Sequence, residues 1–284
     1  MILICGATGK TGRQLLNLLK ASGIPARAIV RDPAKAAGLR DRGFEVVIGD
    51  LGDREVLAGA LKNVDRAFLL MANSENQCTV EKQFIDAAQT AGTRHIVKLS
   101  AIGADSSSTA VLKRYHGQAE DYLKQSGPVH TIIQPGFFMD NMLNCAQTIA
   151  RDNNFSLPMG AGKSGVVDIR DVAEVALAAL TRPGHENKTW VVTGPEILSF
   201  AEIAAIFSAV LGRQISYVDS PPDEFREQLL KWGQSDWYVA AALQLFELNR
   251  QNKNAKITGD FEAVTGRAPR SMRQFVQDHL ASFN

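Results

Sequence analysis

The opening stretch Ile2-Leu-Ile-Cys-Gly-Ala-Thr-Gly-Lys-Thr-Gly12 constrains the fold more than any other part of the chain. Ile2 to Cys5 is apolar and too short for a helix, which suits a buried strand. Leu15, Leu16, Leu18 and Leu19 suit the helix that follows and that ends at Gly23. Between the two, Gly6, Gly9 and Gly12 recur at every third position. A strand that turns through glycines straight into a helix lets backbone amides approach a pyrophosphate, and the helix N-terminus favours its negative charge. The first glycine spacing is longer than in the commonest dinucleotide fingerprint, and glycines alone are a weak sign because turns need them anyway. The strand before and the helix after make this a phosphate-binding turn.

Downstream, strands are expected at Ala26–Val30, Glu45–Ile48, Arg66–Met71, His95–Ser100 and Val129–Gln134, with helices between them. This alternation predicts an α/β fold, a Rossmann-type doubly wound parallel sheet with helices on both faces. After residue 150 the alternation loosens. A loop or hairpin is expected over 153–165, then a helix from Val172 to Leu180 with Asp171 as its N-cap and a strand at Lys188–Thr193. A helix over 199–211, a strand over 214–218, a helical pattern over 223–249 and a last helix over 272–283 follow. No linker separates two domains. The expected division is 1–138 with 166–193 as the dinucleotide-binding domain, and 139–165 with 194–284 as a smaller, interleaved α+β lobe.

Composition excludes several classes of function. Lys and Arg total 31 against 30 Asp and Glu, so a net charge of +1 gives no reason to expect a nucleic acid or a membrane surface as partner. No run of 18 apolar residues occurs, and a first strand that starts at once leaves no room for a signal peptide. Cys5, Cys78 and Cys145 are far apart, and the five histidines form no H-E-x-x-H. The expectation is a protein of the reducing cytoplasm, without a metal, as a monomer or a homodimer.

Ligands of such a sheet bind outside the carboxyl ends of the strands. Arg31 follows the second strand, where a guanidinium suits the 2′-phosphate of NADP. Its neighbour Asp32 argues for NAD if the strand ends one residue later. Asp50 meets the adenine edge or is a turn residue, and Asp53 is more simply a helix N-cap. Ala72 and Asn73 end the fourth strand and would line the dinucleotide groove with backbone groups. Ser100 ends the fifth and is placed to donate a hydrogen bond near the nicotinamide, or to cap the loop. Phe137 and Phe138 either pack core or wall a substrate pocket. Tyr115 is a candidate proton donor or a buried helix residue. It is followed four residues later by Ala119 rather than the lysine that would lower its pKa. His116 and Glu120 meet at i and i+4 as a surface pair or a proton relay.

The chain resembles the NmrA-like branch of the atypical short-chain dehydrogenases/reductases along nearly its whole length. The resemblance is carried by Gly6-Ala-Thr-Gly-Lys-Thr-Gly12, Val30-Arg-Asp-Pro33, Gly49-Asp50, His116 with Glu120 and Ser126-Gly127, Gln134-Pro-Gly136 with Asn141, Asp171-Val-Ala173, Thr193-Gly-Pro-Glu196 and Thr265-Gly-Arg-Ala-Pro-Arg270. It implies that Gly6, Thr8, Gly9, Lys10, Thr11 and Gly12 hold the pyrophosphate, that Arg31 meets the 2′-phosphate, and that NADP(H) is preferred over NAD(H), with no flavin. It also implies a C-terminal lobe over a small aromatic or conjugated substrate, held by Phe137, Phe138, Asn141, Trp232, Trp237 and Tyr238. The expected activity is direct hydride transfer to an electron-poor acceptor such as a quinone, an azo or triphenylmethane dye, or an iminium ion, with Ser100, Tyr115 and His116 as candidate catalytic residues. The same branch contains NAD(P)-sensing regulators that perform no reaction and act through a protein partner, and this is the alternative.

Overall fold

The computed structural model describes residues 1–284. The first half alternates: β1 (Ile2–Ile4), α1 (Lys10–Ala21), β2 (Ala26–Val30), α2 (Pro33–Asp41), β3 (Glu45–Ile48), α3 (Arg54–Ala60), β4 (Arg66–Leu69), α4 (Gln77–Thr90), β5 (His95–Leu99), α5 (Val111–Gln125) and β6 (Val129–Pro135). Phe137–Phe138 forms the short β7, and a 3-10 turn over Met139–Cys145 leads into α6 (Ala146–Asp152). Then come β8 (Asn154–Leu157), β9 (Lys163–Val167), α7 (Ile169–Thr181), β10 (Lys188–Val192), β11 (Ile197–Ser199), α8 (Phe200–Leu211) and β12 (Ser216–Asp219). The chain closes with α9 (Pro222–Lys231), α10 (Asp236–Arg250), α11 (Asp260–Thr265), α12 (Met272–Asp278) and α13 (Leu280–Phe283).

A seven-stranded sheet has the order β10-β6-β5-β4-β1-β2-β3. The pairs β1 with β2, β1 with β4, β2 with β3, β4 with β5 and β5 with β6 are parallel. The fold is therefore the Rossmann-like doubly wound sheet. Strand order reverses beside β1, so the switch point falls at the carboxyl end of the strand that feeds the glycine turn. Leu3, Cys5, Leu57, Ala67, Phe84, Ile96 and Leu123 are buried together, packing α3, α4 and α5 onto one face.

The chain divides into two compact units, each of three segments. The first is Met1–Thr109, Lys113–Gln134 and Val172–Trp190; the second is Ala110–Leu112, Pro135–Asp171 and Val191–Asn284. The second unit has its own core, in which Met139, Phe155, Phe200, Phe207, Phe275 and Phe283 are fully buried. No helix is long and apolar enough to cross a membrane.

Several elements of the second half differ from the sequence expectation. Residues 153–165 form no hairpin: β8 pairs in parallel with the distant β12, and β9 pairs with β7 and β11. Asp171 does not cap α7. That helix starts at Ile169, the Arg170 N–H is accepted by Asp168, and Asp171 is fully buried, accepting from the N–H and guanidinium of Arg270. The helical stretch 223–249 is two helices, because Gly233 takes a left-handed φ of +79° and Ser235 then caps α10 by accepting the Tyr238 N–H. His279 likewise parts α12 from α13. The strands β7 and β11, of two and three residues, are too short for any periodicity to show.

Candidate active site

The glycine turn is built by close approach. Gly6 has a left-handed φ of +64°, and a Cβ on Gly12 would fall 2.2 Å from the Gly6 carbonyl oxygen. The Gly9 N–H donates to that same oxygen at 3.0 Å, which closes the turn. Gly9 then stands as the extended N-cap of α1 with no side-chain cap, and the first helical turn carries no acid. The first amides of a helix lack intrahelical partners and gather partial positive charge. Thr8, Gly9 and Lys10 are exposed, while Thr11 and Gly12 are buried against the turn. A cradle that a single Cβ would fill, open at a helix N-terminus, fits the pyrophosphate of a dinucleotide.

Next to it, β2 ends at Val30, so Arg31 is the first residue beyond the strand. Its side chain is 75% exposed and lies 3.9 Å from the Asp50 carboxylate. The Asp32 carboxylate accepts the Ala34 N–H and caps α2, and Asp53 accepts from Glu55 and Val56 as the cap of α3. Asp50 is a turn residue that accepts the Gly52 N–H at 2.8 Å, and it also faces Arg31. Ala72 and Asn73 are exposed in the segment after β4.

Along and just beyond β5, several polar side chains are buried. Ser100 is buried, and its hydroxyl donates to Glu120 Oε1 at 2.5 Å. Gln134 Nε2 donates to the same oxygen at 2.9 Å, and the Lys124 ammonium lies 3.4 Å from Oε2. Glu120 is itself buried, so it is no member of a surface pair with His116. In this arrangement the one Ser100 proton is directed at Glu120, so donation to another group requires that bond to turn. Deeper, Lys98 and Glu81 form a fully buried ion pair at 2.8 Å. Gln77 Nε2 lies 3.5 Å from both Glu81 Oε1 and His116 Nε2. Gln77 Oε1 and His116 Nδ1 are buried without a partner. Burial, with Lys98 adding to it, holds the His116 imidazole well below its ordinary pKa, so at neutral pH it is uncharged. Tyr115 is half-buried on α5. Lys113, on the same helix, is buried, and burial pulls its ammonium below the ordinary lysine value.

The aromatic candidates lie in the second unit. Phe137 packs edge-on against Phe200 with centroids 5.4 Å apart, as part of the core. Phe138 and Asn141 are half-buried at the start of the 3-10 turn. Tyr238 packs on a separate cluster of Phe225, Leu229, Val239 and Ala242. Trp237 is half-buried, whereas Trp232 is 56% exposed where α9 ends. The structure thus does not gather all six side chains into one cluster. Glu81 and Lys98 escaped the sequence reading and Gln134 entered it only as a motif residue, although a lysine inside the His95–Leu99 strand was a legible sign of a buried partner.

The profile of the NmrA-like family matches residues 1–274. The chain belongs to the NmrA-like family. An NAD(P)H azoreductase of Xenophilus azovorans is 38% identical to it over 283 residues, covering 100% of this chain and 99% of that one. Quinone oxidoreductase 2 of Escherichia coli is 30% identical over 240 residues, 83% of each chain. Among solved structures, the NADPH-dependent quinone oxidoreductase of Escherichia coli complexed with NADPH superposes with a TM-score of 0.88 at 26% identity, covering 99% of this chain and 100% of that one. This NmrA-like protein therefore shares both its sheet and its length with relatives that carry reductase names.

Proposed function

We propose that the chain is an NADPH-dependent reductase of small, flat, electron-poor acceptors, quinones and azo or cationic dyes among them. The observation that carries this reading is the glycine cradle at the N-terminus of α1, with Arg31 placed at the end of the neighbouring strand. When bound, the reduced nicotinamide supplies the hydride. The residues Gly6, Thr8, Gly9, Lys10, Thr11 and Gly12 hold the pyrophosphate, and the exposed segment at Ala72 and Asn73 lines the groove. Arg31 meets the 2′-phosphate, which replaces a long, solvated contact with Asp50. Asp32 Oδ1 accepts the Ala34 N–H as a helix cap and Oδ2 lies 3.8 Å from the Lys35 ammonium, which supports a structural role for that residue over the ribose reading.

Tyr115 is followed by Ala119 rather than by a lysine, so the usual tyrosine and lysine pair does not form on α5. A positioned general acid contributes about 10²–10⁴ in rate, and an acceptor that is already electron-poor needs it least. Phe137, Phe138, Asn141, Trp232, Trp237 and Tyr238 are the side chains offered to the acceptor. The named azoreductase and quinone oxidoreductase favour this class over a regulator without chemistry.

The test is titration with NADPH and NADH by fluorescence, then addition of a quinone, an azo dye and a cationic triphenylmethane dye while reduced-nicotinamide absorbance is followed. NADPH turnover with at least one acceptor is expected. A hydrogen bond to a charged group is worth about 1.5–3 kcal/mol, so Arg31→Ala should cut the preference for NADPH by roughly tenfold or more. Tight binding without turnover on any acceptor would overturn the enzyme reading in favour of the regulator.

A further inference from the structure

We infer that Ser100, Glu120 and Lys124 form a proton path from water to the reduced acceptor, an inference that rests on the reductase reading. Its three members are already in hydrogen-bond sequence. The Ser100 hydroxyl meets Glu120 Oε1 at 2.5 Å, and Glu120 Oε2 meets the Lys124 ammonium at 3.4 Å. The inner end is buried and the outer end is wet: Ser100 and Glu120 are 5% and 3% exposed, whereas the Lys124 side chain is 43% exposed. Gln134 donates to Glu120 Oε1 at 2.9 Å and holds the carboxylate in line. Ser100 follows β5 directly, in the half of the sheet opposite Arg31, and each half of such a sheet serves one mononucleotide of the cofactor. A strand end beside the nicotinamide half is where the acceptor reacts. The tyrosine and lysine pair that would otherwise deliver a proton there is missing from α5.

The balance of the reaction requires such a path for some acceptors and not for others. A quinone takes up a hydride and leaves a hydroquinone monoanion, whose oxygen must then gain a proton. Lys124 passes a proton to the Glu120 carboxylate and regains one from water. The carboxyl group so formed reverses the bond seen in the structure and donates to Ser100 Oγ, and the Ser100 hydroxyl, released from Glu120, gives its proton to the hydroquinone oxygen. An azo bond reduced to a hydrazo group has the same need at nitrogen. A cationic triphenylmethane dye takes the hydride at its central carbon and becomes neutral, so no proton moves. The acceptors thus separate proton delivery from every other role of these residues.

The experiment compares Glu120→Gln with the unaltered protein on a quinone and on a cationic triphenylmethane dye. Glutamine keeps the size, and its one carbonyl oxygen can still accept from Ser100 and Gln134, but its NH2 cannot accept from Lys124 and the amide relays no proton. The ratio of quinone rate to dye rate is expected to fall at least about 100-fold, in keeping with the loss of general-acid catalysis. The solvent deuterium isotope effect on the quinone reaction is expected to change with it. Ser100→Ala should lower the same ratio, and it serves should the glutamine variant fail to fold. NADPH affinity and the urea midpoint, measured alongside, show whether either variant keeps its fold. In the cofactor-free protein, transfer to D2O should shift the Glu120 carboxylate infrared band, identified by its loss in Glu120→Gln, because the path opens to water.

Equal slowing of quinone and dye would make Glu120 a positioning residue and overturn the path. So would an unchanged ratio, or a carboxylate band insensitive to D2O. If the unaltered protein reduces neither acceptor, the reductase reading itself fails and the path falls with it.

Discussion

Gly12 shows how a single residue fixes a binding site. The Gly6 carbonyl oxygen occupies the space a side chain would need at that position, at 2.2 Å from where a Cβ would stand. Inserting a methyl into so close a contact costs about 1–3 kcal/mol. With that strain falling on the cradle, Gly12→Ala should weaken NADPH binding about 5- to 140-fold, since each 1.4 kcal/mol is a factor of ten. Fluorescence titration checks it, and unchanged affinity would show that the turn does not hold the cofactor. Arg31 and Asp32 make the opposite point. Adjacent in sequence, they read as rivals for one ribose, and only the helix cap made by Asp32 distinguishes their roles. Ser100 was legible as a strand-end hydroxyl, but not as one already committed to Glu120, because a bond between residues 100 and 120 has no local signature.

Between elements, the decisive contact is the ion pair that joins β5 to α4. Lys98 and Glu81 are both fully buried, 2.8 Å apart. Removing one partner of a buried pair strands the other charge, which costs about 3–5 kcal/mol, while replacing both by apolar residues is often neutral. Lys98→Met should therefore destabilise the protein by about that much, and adding Glu81→Leu should recover most of it. Urea denaturation of the single and double variants tests this, and additive losses would contradict it. The strands of the first half were readable because short apolar runs alternate regularly with helices: β2 and β3 start and end where expected. In the second half the expectation failed where elements are short or partners distant. β8 reads as half of a hairpin, yet its partner is β12, some sixty residues later. The helical run 223–249 reads as one element because a single glycine and a serine cap barely interrupt its pattern.

Taken as a whole, the molecule keeps four buried or half-buried histidines uncharged at neutral pH. Burial lowers the pKa of His95, His116, His130 and His185, and that of His95 falls to about 4. The His95 ring is held in a buried hydrogen bond of 2.9 Å with the Thr131 hydroxyl, which itself donates to the His185 carbonyl oxygen. In the unfolded chain these side chains take up protons near pH 6.5, whereas in the folded protein they do so only at lower pH. Stability is then complete above about pH 6.5 and falls as the pH drops from there towards about 4. Urea midpoints measured across that range should decline, and a flat profile would contradict the burial of these rings.

The sequence by itself determined the strand, glycine turn and helix at the start of the chain, the parallel alternating sheet and the place of Arg31 at a strand end. Each of these follows from local rules: backbone conformations that only glycine adopts freely, apolar spacing, and the geometry that puts ligands at carboxyl strand ends. Only the tertiary structure decided which charges are buried and what they face. It turned Glu120 from a partner of His116, in a surface pair or a relay, into a buried acceptor between Ser100 and the half-exposed Lys124, and Asp171 from a helix cap into the anchor of Arg270. Such partners are chosen by the cost of leaving a buried charge unpaired, and that cost depends on segments far apart in sequence that meet only when the chain has folded.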